Sequence, residues 1–217
     1  MDCWYPVFLN LKGERCLVVG GGAVAERKVH SLLECGARVK VVSPRVSPSL
    51  LKLAAEGIIE LEQRGFNPDD LNDLRPGRGL IFGATDDAQV NECVFNEALL
   101  RGLAVNIVDN PKLCTFIVPS VLRRGSLSIA VSTGGKSPLL ARRIREKLEE
   151  LWGPEYEELV ELLGKCREKV LAEVKSETER QAVFSRLVDD IVFPLAEQGR
   201  FEEAKERLQQ CLLSSWE

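Results

Sequence analysis

The 217-residue chain has one histidine, His30. A metal centre would therefore have to be built mainly from carboxylates or thiols, and His30, midway along a helical pattern, reads as a surface or interface residue. Seven cysteines (Cys3, Cys16, Cys35, Cys93, Cys114, Cys166, Cys211) include no C-x-x-C pair, and their number is odd. Neither a disulfide framework nor a zinc site is indicated, so they read as buried small hydrophobes or reduced thiols. No apolar run approaches the ~20 residues of a membrane span. The opening MDCWYPVFLNLKGERC lacks a basic-then-apolar leader, so the expectation is a cytoplasmic protein with no membrane partner. Tyr-x-x-x-Lys is missing too, because neither Tyr5 nor Tyr156 has a lysine four residues on. That excludes the usual short-chain dehydrogenase chemistry.

Charge is uneven. Residues 1–149 carry 20 Lys/Arg against 17 Asp/Glu, a net of +3, and residues 150–217 carry 9 against 16, a net of −7, which together give the overall −4. A tail this acidic argues against a nucleic-acid partner, while the mildly basic front suits an anionic small molecule.

What is present is an alternation of strand and helix patterns. CLVVG (16–20), RVKVVSP (38–44), IIELEQR (58–64), GLIFGAT (79–85) and LAVNIVD (103–109) read as strands. AERKVHSLLECG (25–36), SLLKLAAEG (49–57) and DDAQVNECVFNEALLRG (86–102) have helical spacing and end on glycine. This order predicts right-handed βαβ units and a parallel sheet. The near-continuous apolar runs mark central strands buried on both faces. After Asp109 the pattern changes. FIVPSVL (116–122) and SLSIAVST (126–133) are β-like, and Ser137-Pro138 opens a charged helix as N-cap and first helical residue. The remainder is helical with breaks expected near Gly164, Pro194 and Gly199, and 195–212 reads as one helical hairpin. The expected fold is α/β: a Rossmann-like domain over 1–113, a β-plus-helix segment over 114–150, and a helical domain over 151–217.

Gly20-Gly21-Gly22-Ala23-Val24-Ala25 follows a strand and opens a helix. It fits G-x-G-x-x-A, in which the first glycine makes the turn, the second admits a pyrophosphate, and the small sixth residue lets the helix pack on the strand. The acid expected at the end of the second strand to hold a ribose is missing, and Ser43-Pro44-Arg45 stand there. Ser43 can bond a ribose, and Arg45 can meet a 2′-phosphate or solvent, so the spacing leaves NAD and NADP open. Thr85 sits at the carboxyl edge of the sheet, a second point of cofactor contact, and Asp86-Asp87 suit the start of a helix. Asp109 closes a buried strand, and Asp-Asn-Pro is also ordinary turn chemistry. Lys136, Arg142, Arg143, Arg145 and Lys147 share one loop-helix segment opposed only by Glu146. Solvated roles suit Arg145 and Lys147, and contact with an anionic substrate suits Lys136 and Arg142.

Taken together, YPVFLNL (5–11), LVVGGGAVAERK (17–28), VVSP (41–44), GATDDAQVN (83–91), NIVDNP (106–111), TFIVPS (115–120) and STGGKSPLLARRIREKLE (132–149) resemble the precorrin-2 dehydrogenase and sirohydrochlorin ferrochelatase family, the N-terminal region of siroheme synthase. The resemblance covers about residues 5–150. It implies NAD-dependent dehydrogenation of precorrin-2 to sirohydrochlorin, in some members iron insertion as well, and a homodimer formed through the region after the Rossmann domain. It implies Asp109 as the catalytic residue and Gly20, Gly22, Ala23, Val24, Ser43, Pro44 and Arg45 as the NAD site. It puts the segment holding Thr133, Gly134, Lys136 and Ser137 near the tetrapyrrole, with Thr133 where siroheme synthase has a serine. With no methyltransferase pattern before residue 217, a stand-alone form is expected. The rival is a non-catalytic NAD-binding regulatory or interaction protein.

Overall fold

The computed structural model describes residues 4–213, so Cys3 lies outside the described residues. Two compact units divide the chain, the first ending at Val118 and the second beginning at Pro119.

The first unit is built on a five-stranded parallel sheet in the order β3-β2-β1-β4-β5. The strands are β1 (Arg15–Val19), β2 (Arg38–Val42), β3 (Glu60–Glu62), β4 (Leu80–Gly83) and β5 (Ala104–Ile107). Three helices, α1 (Ala23–Glu34), α2 (Pro48–Ala55) and α3 (Ala88–Leu100), fill the crossovers. Alternate strand residues supply two cores. Val18, Val39, Val41 and Phe82 pack with Ala25, Val29 and Leu32 of α1 and Leu50 of α2, while Leu17, Val19, Ile81, Val105 and Ile107 pack with Val94 and Ala98 of α3. A side-chain period of two sends neighbours to opposite faces, and burial on both explains the continuous apolar runs. The crossovers leave β1 and β4 in opposite directions, which opens a crevice between their carboxyl ends.

Beyond β5 the chain folds back instead of continuing as a strand. The Thr115 N–H donates to the Val105 carbonyl (2.8 Å), and the Thr115 hydroxyl accepts the Val105 N–H (2.9 Å). The Asn106 amide donates to the Phe116 carbonyl (2.9 Å). Cys114 to Phe116 therefore covers the sheet's outer edge, whose unpaired backbone groups would otherwise be exposed. This is why the strand expected from 116 begins only at Ser120.

In the second unit, β6 (Ser120–Arg124) and β7 (Leu127–Val131) form an antiparallel hairpin. Its two-residue turn uses Gly125 at φ 53°, a conformation favouring glycine. Helix α4 (Pro138–Leu151) follows, capped by the Ser137 hydroxyl, which accepts the Leu140 N–H at 3.3 Å. The rest is helical: α5 (Tyr156–Glu173), α6 (Glu177–Ser185), α7 (Phe193–Glu197) and α8 (Phe201–Leu213). Leu159, Leu162 and Cys166 of α5 pack with Leu195, Ala204 and Leu208. Two expected breaks are overturned. Gly164 lies inside α5 on its exposed side, where the buried Leu162 and Cys166 hold the helix despite glycine's cost of ~1 kcal/mol. Pro194 lies inside a continuous helical stretch. A π-helical segment, Arg186–Val192, precedes it, and the wider turn takes up the donor and the space that proline lacks. The turn at Gly199 (φ 69°) is present, and it separates the two helices of the expected hairpin. Among the described residues no helix is long and apolar enough to cross a membrane.

Candidate cofactor groove and strand-end carboxylate

A groove of about 1150 Å³ lies in the first unit at the carboxyl ends of β1, β2 and β4. Gly20, Gly22, Ala23, Val24, Ser43, Pro44, Arg45 and Thr85 all line it.

The glycine loop forms its floor. Gly20 has φ 126°, and a Cβ there would overlap the Ala84 carbonyl oxygen, so only glycine fits between β1 and β4. Gly22 is the N-cap of α1. It places no side chain on the helix end, and a Cβ built on it meets nothing within 4 Å. The first N–H groups of α1 thus face the groove uncapped, with open space above them, which suits a pyrophosphate. Gly21, an unassigned position in the motif, is also required. A Cβ there would overlap the Arg45 carbonyl oxygen and sit 2.8 Å from Val46 Cα. The Gly21 carbonyl accepts the Ser47 N–H at 2.8 Å, locking the loop after β2 onto the glycine loop.

Ser43 is buried, and its hydroxyl donates to the Arg45 carbonyl at 2.7 Å, so its proton shapes the loop and only its lone pairs remain for a ribose. Thr85 organises the entry to α3. Its hydroxyl accepts the Asp87 N–H (3.2 Å), and its carbonyl accepts from the Asn91 amide (2.9 Å). Asp87 caps α3 by accepting the Gln89 and Val90 N–H groups (2.9 and 3.2 Å), as its acidic pattern predicts.

Gly65 and Phe66 form the far wall after β3. They are held by a cluster that the sequence pattern did not reveal. The Asp70 side chain is 2% exposed and accepts from Lys40 (2.9 Å), from both Arg64 terminal nitrogens (2.6 and 2.9 Å) and from the Asn67 N–H (3.0 Å). Burial alone would raise the Asp70 pKa, but the bonds from Arg64 and Lys40 overcome it and hold the carboxyl well below the usual carboxylate range.

Asp109 does not line the groove. It stands beyond the next strand end, exposed, with φ 59°, the sole positive φ outside glycine among the described residues. Asparagine and aspartate tolerate this left-handed conformation best, at a residual cost of ~1 kcal/mol. The turn is fixed by the Val108 N–H donating to the Gly83 carbonyl (2.9 Å) and the Asn110 N–H donating to the Ile107 carbonyl (3.2 Å). Beside it lies Lys28 of α1, whose ammonium sits 5.3 Å from the Phe82 ring centroid. Burial pushes the Lys28 pKa down, with Arg27 adding to the effect, while Asp109 and Cys114 pull it back up. The Cys114 thiol donates to the Ile107 and Asn110 carbonyls (3.3 and 3.2 Å).

In the second unit, the loop before α4 turns through Gly134 (φ 61°) and Gly135 (φ 81°). The Thr133 hydroxyl accepts the Ser137 N–H at 3.0 Å, and the Thr133 carbonyl accepts the Lys136 N–H at 3.1 Å. Lys136 is exposed and makes no ion pair with the described residues. Arg142 and Arg143 both pair with Glu146 at 2.8 Å, and Arg145 pairs with Glu149. An anion reaching Arg142 would have to compete with Glu146. His30, on α1, is half exposed and 4.0 Å from Glu26.

This geometry agrees with comparisons made over the whole chain. Residues 7–120 match a family model described as "Putative NAD(P)-binding". Residues 124–151 match "Sirohaem biosynthesis protein central", and residues 155–212 match "Sirohaem synthase dimerisation region". The chain belongs to the "Putative NAD(P)-binding" family. The siroheme synthase of Methylobacillus flagellatus is 41% identical over 207 residues, 95% of this chain and 44% of the relative. That of Nitrosomonas europaea is 40% identical over 213 residues, 98% and 44%. The chain therefore spans less than half the length of these curated relatives. Among solved structures, SirC, precorrin-2 dehydrogenase, superposes with a TM-score of 0.75 at 29% identity, over 95% of this chain and 100% of that one.

Proposed function

We propose that this protein oxidises precorrin-2 to sirohydrochlorin, with NAD as hydride acceptor. The observation that carries the reading is the uncapped N-terminus of α1 under an open Gly22, at the end of β1, with only β4 between that strand and the β5 end where a carboxylate is held in a left-handed turn. The likeness to SirC over all of that chain supports the substrate, and the strand order supports the cofactor's placement at the crevice.

NAD supplies the hydride-accepting ring. The protein's own residues do the rest. The α1 N–H groups hold the pyrophosphate, and Ser43, Pro44 and Arg45 border the ribose. Asp109 takes the proton released as the macrocycle loses its hydride, so that one hydride and one proton leave for each double bond formed. Lys136, with the backbone of Thr133, Gly134 and Ser137, meets the carboxylates of the tetrapyrrole. Arg142 joins only when its pair with Glu146 opens.

The protein acts as a homodimer. The dimerisation-region match over 155–212 supports this, as does the apolar surface that α4 leaves uncovered: Leu139 is 64% and Leu151 69% exposed, with Leu140 and Ile144 between them.

The test is to mix protein, NAD and precorrin-2 and follow the sirohydrochlorin and NADH absorbances together. Asp109→Asn is expected to lose at least about 100-fold in turnover while still binding NAD. Full turnover by the folded variant sinks the assignment of Asp109. No absorbance change with wild type favours the non-catalytic alternative. Parallel mixtures with Fe²⁺ or Co²⁺ show whether metal insertion accompanies oxidation.

A further inference from the structure

The groove's β2 side differs from a site built for NAD alone. Where an acid would hold the ribose hydroxyls and repel a phosphate, the chain has Ser43-Pro44-Arg45. The Arg45 backbone is held at its carbonyl. Its carbonyl accepts the Ser43 hydroxyl (2.7 Å) and fills the space a Gly21 Cβ would need, and two residues on, the Ser47 N–H donates to the Gly21 carbonyl (2.8 Å). Only the guanidinium remains uncommitted, exposed at the groove and without an ion pair to the described residues.

The nearby acids are engaged elsewhere. Glu26 accepts the Ser47 hydroxyl at 2.7 Å, and Glu62 is held by Lys40 (2.7 Å) and Arg64. The acids that do line the groove, Asp86 and Asp87, lie across it at the end of β4, and Asp87 is spent capping α3. One cation without an ion pair among the described residues therefore lines the groove at the edge where the adenosine ribose would sit, and no carboxylate lining that edge opposes a phosphate. Discrimination against a 2′-phosphate needs a repulsive element, and this edge offers an attractive one.

We propose that the groove accepts a 2′-phosphorylated dinucleotide as well as NAD, and that Arg45 is the residue that reads the phosphate. The inference rests on the groove being the dinucleotide site but not on the identity of the substrate or on Asp109.

It is tested by calorimetric titration of the full chain with NAD⁺ and NADP⁺, for wild type, Arg45→Ala and Arg45→Glu. Wild type is expected to bind NADP⁺ with an affinity within about tenfold of that for NAD⁺, and Arg45→Glu to shift the ratio against NADP⁺ by at least about tenfold, with Arg45→Ala between them. Raising salt should weaken NADP⁺ more than NAD⁺ in wild type and not in Arg45→Glu. Binding of NAD⁺ without NADP⁺, or a ratio unmoved by Arg45→Glu, overturns the proposal and leaves the dinucleotide site standing. Failure of wild type to bind either dinucleotide overturns both.

Discussion

The Asp70 cluster gives the most quantitative handle on how the fold supports the groove. Asp70→Asn keeps the side chain's shape but removes its charge, and it turns an N–H₂ toward Lys40 or Arg64. Four donors now converge on the two carboxylate oxygens, at 2.6 to 3.0 Å. Breaking a buried pair by removing one partner costs ~3–5 kcal/mol. Arg64 is partly exposed and both cations keep Glu62, so rehydration returns part of that, and a loss of about 2–3 kcal/mol is expected. Urea unfolding at neutral pH measures it as a lower midpoint at unchanged slope. The pH dependence supplies a second check. The folded Asp70 pKa is depressed, so its stabilisation is complete above the unfolded value of about 4 and disappears as pH falls through the folded value. The gap between wild type and Asp70→Asn should therefore be widest near neutrality and shrink below about pH 4. A gap under about 0.5 kcal/mol, or one unchanged by acid, would refute the view that this cluster anchors the loop after β3. Because Gly65 and Phe66 ride on that loop, the variant should also bind dinucleotide more weakly.

Two further outcomes follow from backbone geometry. Gly21→Ala would drive a methyl into the Arg45 carbonyl, so the loop after β2 must move; a cost of about 1–3 kcal/mol and weakened dinucleotide binding are expected, and a variant matching wild type in both would remove the close-packing argument. Asp109→Gly relaxes the left-handed turn, so thermal melts should show it at least as stable as wild type, by up to ~1 kcal/mol, while the absorbance assay shows no turnover; a marked loss of stability would mean that the carboxylate, not the backbone, holds the turn.

Much of the fold is written in local pattern. The parallel strands, the glycine-terminated helices of the first unit and the Ser137-Pro138 cap follow from periodicity and capping chemistry, and these signals act over a few residues. What escaped was decided over longer distances. Gly164 and Pro194 are helix breakers by local rule, yet the buried faces around Leu162 and Leu195 outweigh the first and a π-helical turn accommodates the second. The fold-back at Cys114 to Phe116 is needed because β5 ends the sheet, and no local signal says which strand is last.

The site was legible to the same extent and for the same reason. The G-x-G-x-x-A loop is a local device; Gly20 to Val24 line the groove and Ala25 packs in the core. Gly21 and the Asp70 cluster were missed because each is defined by a partner far along the chain, Arg45 for one and Lys40 and Arg64 for the other. Asp109 shows where the two kinds of information meet. Asp-Asn-Pro correctly indicated a turn, but the left-handed φ and the neighbouring Lys28, supported on the Phe82 ring, could be known only once β4 and β5 were paired. Glycine or asparagine would make the same turn without a charge. Aspartate there puts an ionisable group on a left-handed backbone beside a partly buried cation, and the proton-accepting role proposed for Asp109 starts from that pairing.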